Sequence, residues 1–442
     1  MKAGTAPHHP SRAGRGTADG TSPPAPLRKR RGENVNVNDN VNDNDNDNDN
    51  DNDNDNDNDN DNDERPAGET PAPRDLSAAG VFGPFVQGGL RLQWVRCDDP
   101  LPRLQPMKAA RLYGPREVHI EDVPQPLPGP GEVLIRVRAC AICASDVRLY
   151  LDGHAGGVVP DHPMIQGHEF SGDIVELGES VTGPPVGTRV AVEPSWHCGH
   201  CDLCLQGLHN LCRNVIFPSF PQRDGALAEY IACPVHAVCP IPSHVGYTSG
   251  ALTEPLGVAL HATRIANLKP DSRVVIQGAG MIGICTELVL LGQGRSDIAV
   301  VEPVDGRRAL ASRLGASRVA ASAQGLHEAG VEGEVVFECS GSPDAVMEGI
   351  GLTRPAGQFV VVGIPRPEHV TIDFAVPRRK QLDMLFSRRS LDTLNEAVEL
   401  VASGRVNLGA VPTRHFALEQ AVEAIEATAA APGDMLRAVV IP

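Results

Sequence analysis

The chain has 442 residues, a hydrophobic fraction of 41% and a formal net charge of −17. That length leaves room for two or three domains, and the acidic balance argues against a nucleic-acid partner, since phosphate binding needs a basic footprint. Eleven cysteines, several closely spaced and with no apolar signal-peptide core ahead of them, favour metal ligation in a reducing cytoplasm over disulfides.

Residues 1–106 contribute −7 to the net charge and the rest of the chain −10. The first 33 residues are rich in Pro, Gly and Arg. Their basic run, Arg28-Lys29-Arg30-Arg31, reads as a solvated charge cluster. From Asn34 to Asp63 the sequence is almost pure Asn-Asp alternation. Such a tract has no apolar face to offset ordering entropy, and it lacks the turn Gly and closing Glu of a calcium loop. Residues 1–106 are therefore expected to be a disordered low-complexity extension with no part in catalysis, consistent with a start assigned too far upstream.

Met107 reads as the true beginning. Lys108–Tyr113 and Val118–Val123 are expected strands, Pro124–Gly131 is a turn, and Val133–Cys140 alternates apolar and basic residues. The next stretch, CAICASDVRLYLDGHAGGVVPDHPMIQGHEF, offers a thiolate at Cys143, a hydroxyl at Ser145, an imidazole at His168 and a carboxylate at Glu169. Zinc takes this ligand set, and three protein ligands with one open position describe a catalytic site. Taken alone, a buried thiol and a core histidine would read equally well. Strands Gly172–Glu176 and Thr188–Val192 follow, so this half is β-rich.

Cys198, Cys201, Cys204 and Cys212 are spaced C-x2-C-x2-C-x7-C. Four thiolates packed this tightly surround one tetrahedral zinc with no open position, which is a structural site. With the coordination sphere filled, His197, His200 and His209 are expected to be exposed loop residues. Cys233 and Cys239 have no ligand spacing and read as core thiols. Thr248–Asn267 shifts to helical spacing and contains Glu254 before Pro255. That carboxylate is either a helix N-terminal charge or a group for the catalytic zinc.

The strand Ser272–Gln277 runs into Gly278-Ala-Gly280-Met281-Ile282-Gly283, and a helix over Ile284–Leu291 follows. Between a strand and a helix, these glycines allow the tight turn and the close approach of a pyrophosphate to a helix N-terminus. The run Val274–Thr286 is too short to span a bilayer. A second strand, Asp297–Val301, ends at Glu302, placed to accept from adenosine ribose hydroxyls and to repel a 2′-phosphate. That favours NAD over NADP, with Arg307 and Arg308 as counter-evidence. Strands Val335–Cys339 and Gln358–Val362 continue a doubly wound parallel sheet. Ser390 is expected to cap a helix with apolar positions Leu391, Leu394, Ala397, Val398 and Val401. A second helix, with Leu418, Ala421, Val422 and Ile425, precedes the closing strand Arg437–Ile441.

Together the pieces CAICASD, GHEFSG, the four-Cys lobe, DGALAEY, TEPLGVALHA, GAGMIG and ECSGSP resemble the zinc-dependent medium-chain dehydrogenase/reductase superfamily over residues 107–442. They are most similar to its polyol branch of sorbitol and threonine dehydrogenases. The resemblance implies an α/β chain with a GroES-like β-barrel catalytic domain at 107–256 holding both zincs. A Rossmann NAD-binding domain would occupy 257–387, and 388–442 would return to the catalytic domain. It implies that Cys143 and His168 ligate the catalytic zinc, that Glu169 or Glu254 binds it directly or through water, and that Ser145 relays the proton. It further implies a homodimer or homotetramer oxidising a secondary alcohol (a polyol, amino-cyclitol or hydroxy amino acid) to a ketone by hydride transfer. Two departures stand out. The family's common CGICGSD has Ala141 and Ala144 for its glycines, and the polyol enzymes' His and Tyr after the relay serine are Arg148 and Leu149. The alternative from another class is a non-catalytic zinc- and nucleotide-binding sensor on the same fold.

Overall fold

The structure is a computed structural model and describes residues 105–430 and 432–442. The extension expected to be disordered lies, except for its last two residues, outside the described residues.

Strands β1 (Pro106–Gly114) and β2 (Glu117–Pro124) form an antiparallel hairpin. Strand β3 (Glu132–Ala141) buries Ile135, Val137 and Ala139 while Arg136 faces solvent, as the alternation predicts. Helix α1 (Ala144–Asp152) starts at Cys143, whose N–H donates to the Asp146 carboxylate at 2.9 Å, and it stops at Gly153 in the left-handed region. Then come β4 (Met164–Ile165), β5 (Glu169–Leu177), β6 (Arg189–Val192), the short α2 (Asp202–Leu205), β7 (Tyr230–Pro234) and β8 (Val238–Pro240). β4 joins the first hairpin, while β5 and β7 flank β3, and β6 and β8 continue from β5.

Helix α3 (Tyr247–Ile265) is buried along most of its length, packed on β3 and β5 and on the nucleotide-binding half. Pro255 lies inside it, not at its start. The packing on both sides outweighs the one backbone hydrogen bond that a proline forfeits.

The second half runs β9 (Val274–Gln277), α4 (Met281–Gly292), β10 (Ile298–Val301), α5 (Asp305–Leu314), β11 (Arg318–Ala320), α6 (Ala323–Glu328), β12 (Gly333–Glu338), α7 (Pro343–Leu352), β13 (Thr353–Val361), α8 (Ala375–Lys380) and β14 (Asp383–Phe386). Its sheet is parallel, in the order β11-β10-β9-β12-β13-β14. The order reverses between β9 and β12, and the crevice at such a switch point is where a dinucleotide binds.

Helix α9 (Leu394–Ala402) begins later than the sequence suggests, with Thr393 at its N-cap. Ser390 does not cap it. Its hydroxyl donates to Glu193 at 2.6 Å, and Asp392 has φ 51, which interrupts any helix beginning at 391. Strand β15 (Thr413–Ala417), helix α10 (Ala421–Ala429) and strand β16 (Arg437–Ile441) complete the chain. β16 pairs with β3, matching Val439 to Ala141 and Val440 to Cys140, so the C-terminus returns to the first sheet beside Cys143.

Candidate active site

The register of two strands builds the site. β3 and β5 match Ala141 to Glu169, so the residues just after β3 and just before β5 meet. Donor atoms of Cys143, His168 and Glu169 consequently lie within 4.8 Å of one another. Burial alone would push the Cys143 thiol up, but His168 and Arg437 outweigh it and bring the thiol down to about 6. A thiol so placed is poised to be a thiolate ligand.

Three residues that the sequence did not single out support this triad. Asp146, fully buried in the first turn of α1, has its carboxylate 3.6 Å from His168 Nδ1 and accepts from the Cys143 N–H and the Ser219 hydroxyl. Burial would raise that carboxyl, yet His168, Ser219 and Cys143 hold it below its ordinary value. At 3.6 Å the Asp146–His168 approach is an electrostatic contact and not a hydrogen bond, since His168 Nδ1 is buried without a hydrogen-bond partner, and it places a negative charge behind the ring. Phe217 packs against the His168 ring at 5.1 Å between centroids. Arg437, on β16, donates to Glu169 Oε1 at 2.6 Å. The acid three residues after a helix cap was a usable signal for Asp146. Nothing local marks Phe217 or Arg437.

Glu169 Oε2 is buried without a hydrogen-bond partner. An orphaned carboxylate oxygen beside a thiol and an imidazole fits a zinc ion or its water. Glu254, half-buried on α3, stands outside the triad but near enough for the Glu169 charge to add to the rise of its carboxyl. Burial raises both carboxyls to about 8. Ser145 lies half-buried in the first turn of α1, two residues beyond Cys143.

The four cysteines of the lobe also converge within 4.8 Å. The Cys198 and Cys201 N–H groups donate to the sulfurs of Cys212 and Cys198 at 3.3 and 3.4 Å, and the His200 N–H is the chief cause that lowers the Cys198 thiol to about 6. Backbone donors aimed at clustered sulfurs suit a tetrathiolate zinc. The nearby histidines differ from expectation. His200 is exposed, but His197 stacks on His209 at 4.1 Å and meets His236 at a tilt at 4.5 Å, and two of the three are half-buried. Residue His236, distant in sequence, supplies the third ring.

At the switch point Gly278 has φ +88, and Gly283 comes so close to Gly278 O that a Cβ there would lie 1.8 Å away. The turn thus leads straight into α4, with Gly280 as its N-cap, Met281 buried and Ile282 half-buried in the first turn. The free N–H groups of that turn suit a pyrophosphate. Glu302, the residue just after β10, lies against the turn, accepting from the Ala279 N–H at 2.7 Å and the Val304 N–H at 2.9 Å. Arg308 is committed to the carbonyls of Glu302 and Pro303, while Arg307 lies half-buried on α5.

Residues 129–243 match the model of the alcohol dehydrogenase GroES-like domain, and residues 282–403 that of the zinc-binding dehydrogenase. A sorbitol dehydrogenase of Bacillus subtilis is 33% identical over 347 residues, which cover 76% of this chain and 98% of that protein. Among solved structures, a protein of Escherichia coli CFT073, described as a short chain alcohol dehydrogenase and complexed with NADH, superposes with a TM-score of 0.71 at 25% identity, covering 76% of this chain and 99% of its own. A zinc-binding dehydrogenase from Sinorhizobium meliloti bound to NADP gives 0.70 at 30% identity, covering 76% and 100%. No helix among the described residues is long and apolar enough to cross a membrane. With two zinc-competent clusters, a dinucleotide crevice and relatives matched over nearly their whole length, the chain belongs to the zinc-dependent medium-chain dehydrogenase/reductase superfamily, near its sorbitol and polyol dehydrogenases, and is a zinc- and NAD(P)-dependent oxidoreductase acting on a secondary alcohol.

Proposed function

We propose that the alcohol is a polyol, an amino-cyclitol or a hydroxy amino acid, and that NAD is the preferred acceptor. The observation that carries the reading is the Cys143–His168–Glu169 cluster with Ser145 on the adjoining helical turn. Cys143 and His168 would hold the catalytic zinc, with the Asp146 charge behind the imidazole and Glu169 or Glu254 completing or buffering the ligand set. Zinc bound there supplies a Lewis acid that lowers the pKa of a substrate hydroxyl, and the bound nicotinamide accepts the hydride. Ser145 Oγ takes the hydroxyl proton and passes it towards solvent. Arg148 stands where the polyol enzymes have a histidine. A guanidinium cannot accept that proton, so the path from Ser145 does not continue through this side chain. Cys198, Cys201, Cys204 and Cys212 would hold the structural zinc.

The preference for NAD rests on the Glu302 charge beside the glycine turn and on Arg308 being occupied by backbone carbonyls. Gly278, Gly280, Met281, Ile282 and Gly283 would cradle the pyrophosphate, and Arg307 would border the adenosine end. We read the chain as an extension at 1–106, a catalytic domain at 107–256, a nucleotide domain at 257–387 and a return at 388–442. A homodimer or homotetramer is favoured by the free edge of β14, where Phe386 is exposed. The ten described cysteines are all free, which suits a reducing cytoplasm.

The test is NADH formation by the purified protein with NAD against polyols, amino-cyclitols and threonine, repeated after chelation and after zinc is restored. Chelator-sensitive turnover on one class supports the reading and identifies the substrate. Silence across the panel by a protein that binds zinc and NADH would reject these substrate classes.

A further inference from the structure

The first mononucleotide half, β9 to β11, carries the residues assigned above to the cofactor. The second half, β12 to β14, carries none, yet it contains the most heavily bonded carboxylate at the crevice. Glu338 ends β12 in register with Gln277 at the end of β9, across the switch point. It is fully buried. Its Oε1 accepts from the Ser340 N–H at 2.7 Å, the Ser340 hydroxyl at 2.5 Å and the Gly341 N–H at 2.9 Å. Its Oε2 is buried without a partner. Burying a carboxylate is costly and the cost grows when an oxygen goes unmatched, so the group must hold something in place.

What it holds are the turns around the crevice. Ser340 lies against Gly278, where a Cβ would meet Ser340 Cα at 2.8 Å. The Val362 and Gly363 N–H groups donate to the Glu338 carbonyl at 2.9 and 2.8 Å. Gly363 is packed so closely that a Cβ there would lie 2.5 Å from Gly341 N and 2.6 Å from Glu338 Oε2. The loop that follows is in turn gripped by α1. Arg148 donates to Ile364 O at 2.6 Å, and Arg366 pairs with Asp152 at 2.5 Å. The Glu338 carboxylate therefore fixes the 340–341 turn, which lies on the glycine turn and whose Gly341 carbonyl accepts from the Arg366 N–H at 3.2 Å, while the Glu338 backbone carbonyl holds the start of the 363–366 loop; that loop touches the helix that carries Ser145.

We propose that Glu338 is a positioning residue for the nicotinamide half of the cofactor, keeping the 340–341 turn and the 363–366 loop in register with the glycine turn and with α1. It rests on the dehydrogenase reading, because in a doubly wound fold the second mononucleotide half faces the second nucleotide. Glu338 acts through backbone and does not itself react.

The experiment uses the full-length zinc-loaded protein and reads affinity for NADH by fluorescence titration and for AMP by calorimetry, AMP occupying the adenosine half alone. Glu338→Ala should weaken NADH at least about tenfold, the scale of losing hydrogen bonds to a charged group, and leave AMP within about twofold. Glu338→Gln, whose amide oxygen can still accept all three bonds, should return NADH affinity to within about threefold of wild type. Gly363→Ala pushes on the same node from the opposite side and should show the same split; it carries the test if Glu338→Ala does not fold. Unchanged NADH affinity in the variant that folds, or equal losses for NADH and AMP, would overturn the proposal. A wild-type protein that binds no NADH would instead overturn the dehydrogenase reading beneath it.

Discussion

Glu287 offers a quantitative test of how the nucleotide-binding core is packed. It lies on α4, fully buried, with Oε1 accepting from the Ala316 N–H at 3.0 Å and Oε2 without a partner. Burial raises its carboxyl from 4.5 to about 8. Above pH 4.5 the unfolded chain loses this proton while the folded chain keeps it, so stability falls with rising pH until the folded group also ionises near 8. At about 1.4 kcal/mol per pH unit, the loss is on the order of 4 kcal/mol between about pH 5 and pH 8. With an unfolding entropy of roughly 2 cal/mol/K per residue, a folded part of this size converts 4 kcal/mol into about 6 °C of Tm. Glu287→Gln keeps an acceptor for Ala316 and removes the titration. The measurement is Tm of the wild type and the variant side by side from pH 5 to 8.5, so that pH effects shared by both, zinc ligation included, cancel. The variant should match the wild type near pH 5 and melt about 6 °C higher by pH 8. A difference that stays flat across this range would refute the reasoning.

Cys143→Ser removes the poised thiolate and should abolish turnover while NADH affinity, set by the other half of the molecule, stays within about threefold; zinc content and NADH titration check both parts. Arg437→Met removes the buried donor to Glu169 Oε1 and should cost on the order of 1.5–3 kcal/mol, the scale of a hydrogen bond to a charged group, seen as a fall of roughly 2–4 °C in Tm at pH 7. A variant melting within a degree of wild type would show that the pair contributes nothing. Glu302→Gln removes the charge beside the glycine turn while retaining an oxygen for one of its two backbone donors, and the ratio of kcat/KM for NADP over NAD should rise at least about tenfold. A ratio that does not move would assign cofactor choice to another residue.

Much of the molecule was legible because the relevant contacts are local. The lobe cysteines fall within fifteen residues, so spacing alone announces a tetrahedral site. The glycine turn announces itself because only glycine fits where a Cβ would strike Gly278 O at 1.8 Å. Cap chemistry was less reliable. Ser390 looks like an N-cap, but its hydroxyl is taken by Glu193, nearly two hundred residues away, and Asp392 in the left-handed region delays the helix. Likewise nothing near His197 and His209 in sequence predicts their stacking, and the ring that completes their group belongs to His236.

The sequence by itself determined the kinds of chemistry present: thiolates, imidazoles and carboxylates for zinc, a hydroxyl for a proton, and a strand-turn-helix for a dinucleotide. Tertiary structure decided which of them meet. The pairing of β3 with β5 brings Cys143 to His168 and Glu169, and the return of β16 to β3 brings Arg437 to a carboxylate 268 residues earlier in the chain. It also left Glu254 outside the triad. Spacing can encode only partners on the same turn or loop, because local geometry is periodic. Partners joined through a sheet are set by register, which depends on the burial of every residue along both strands.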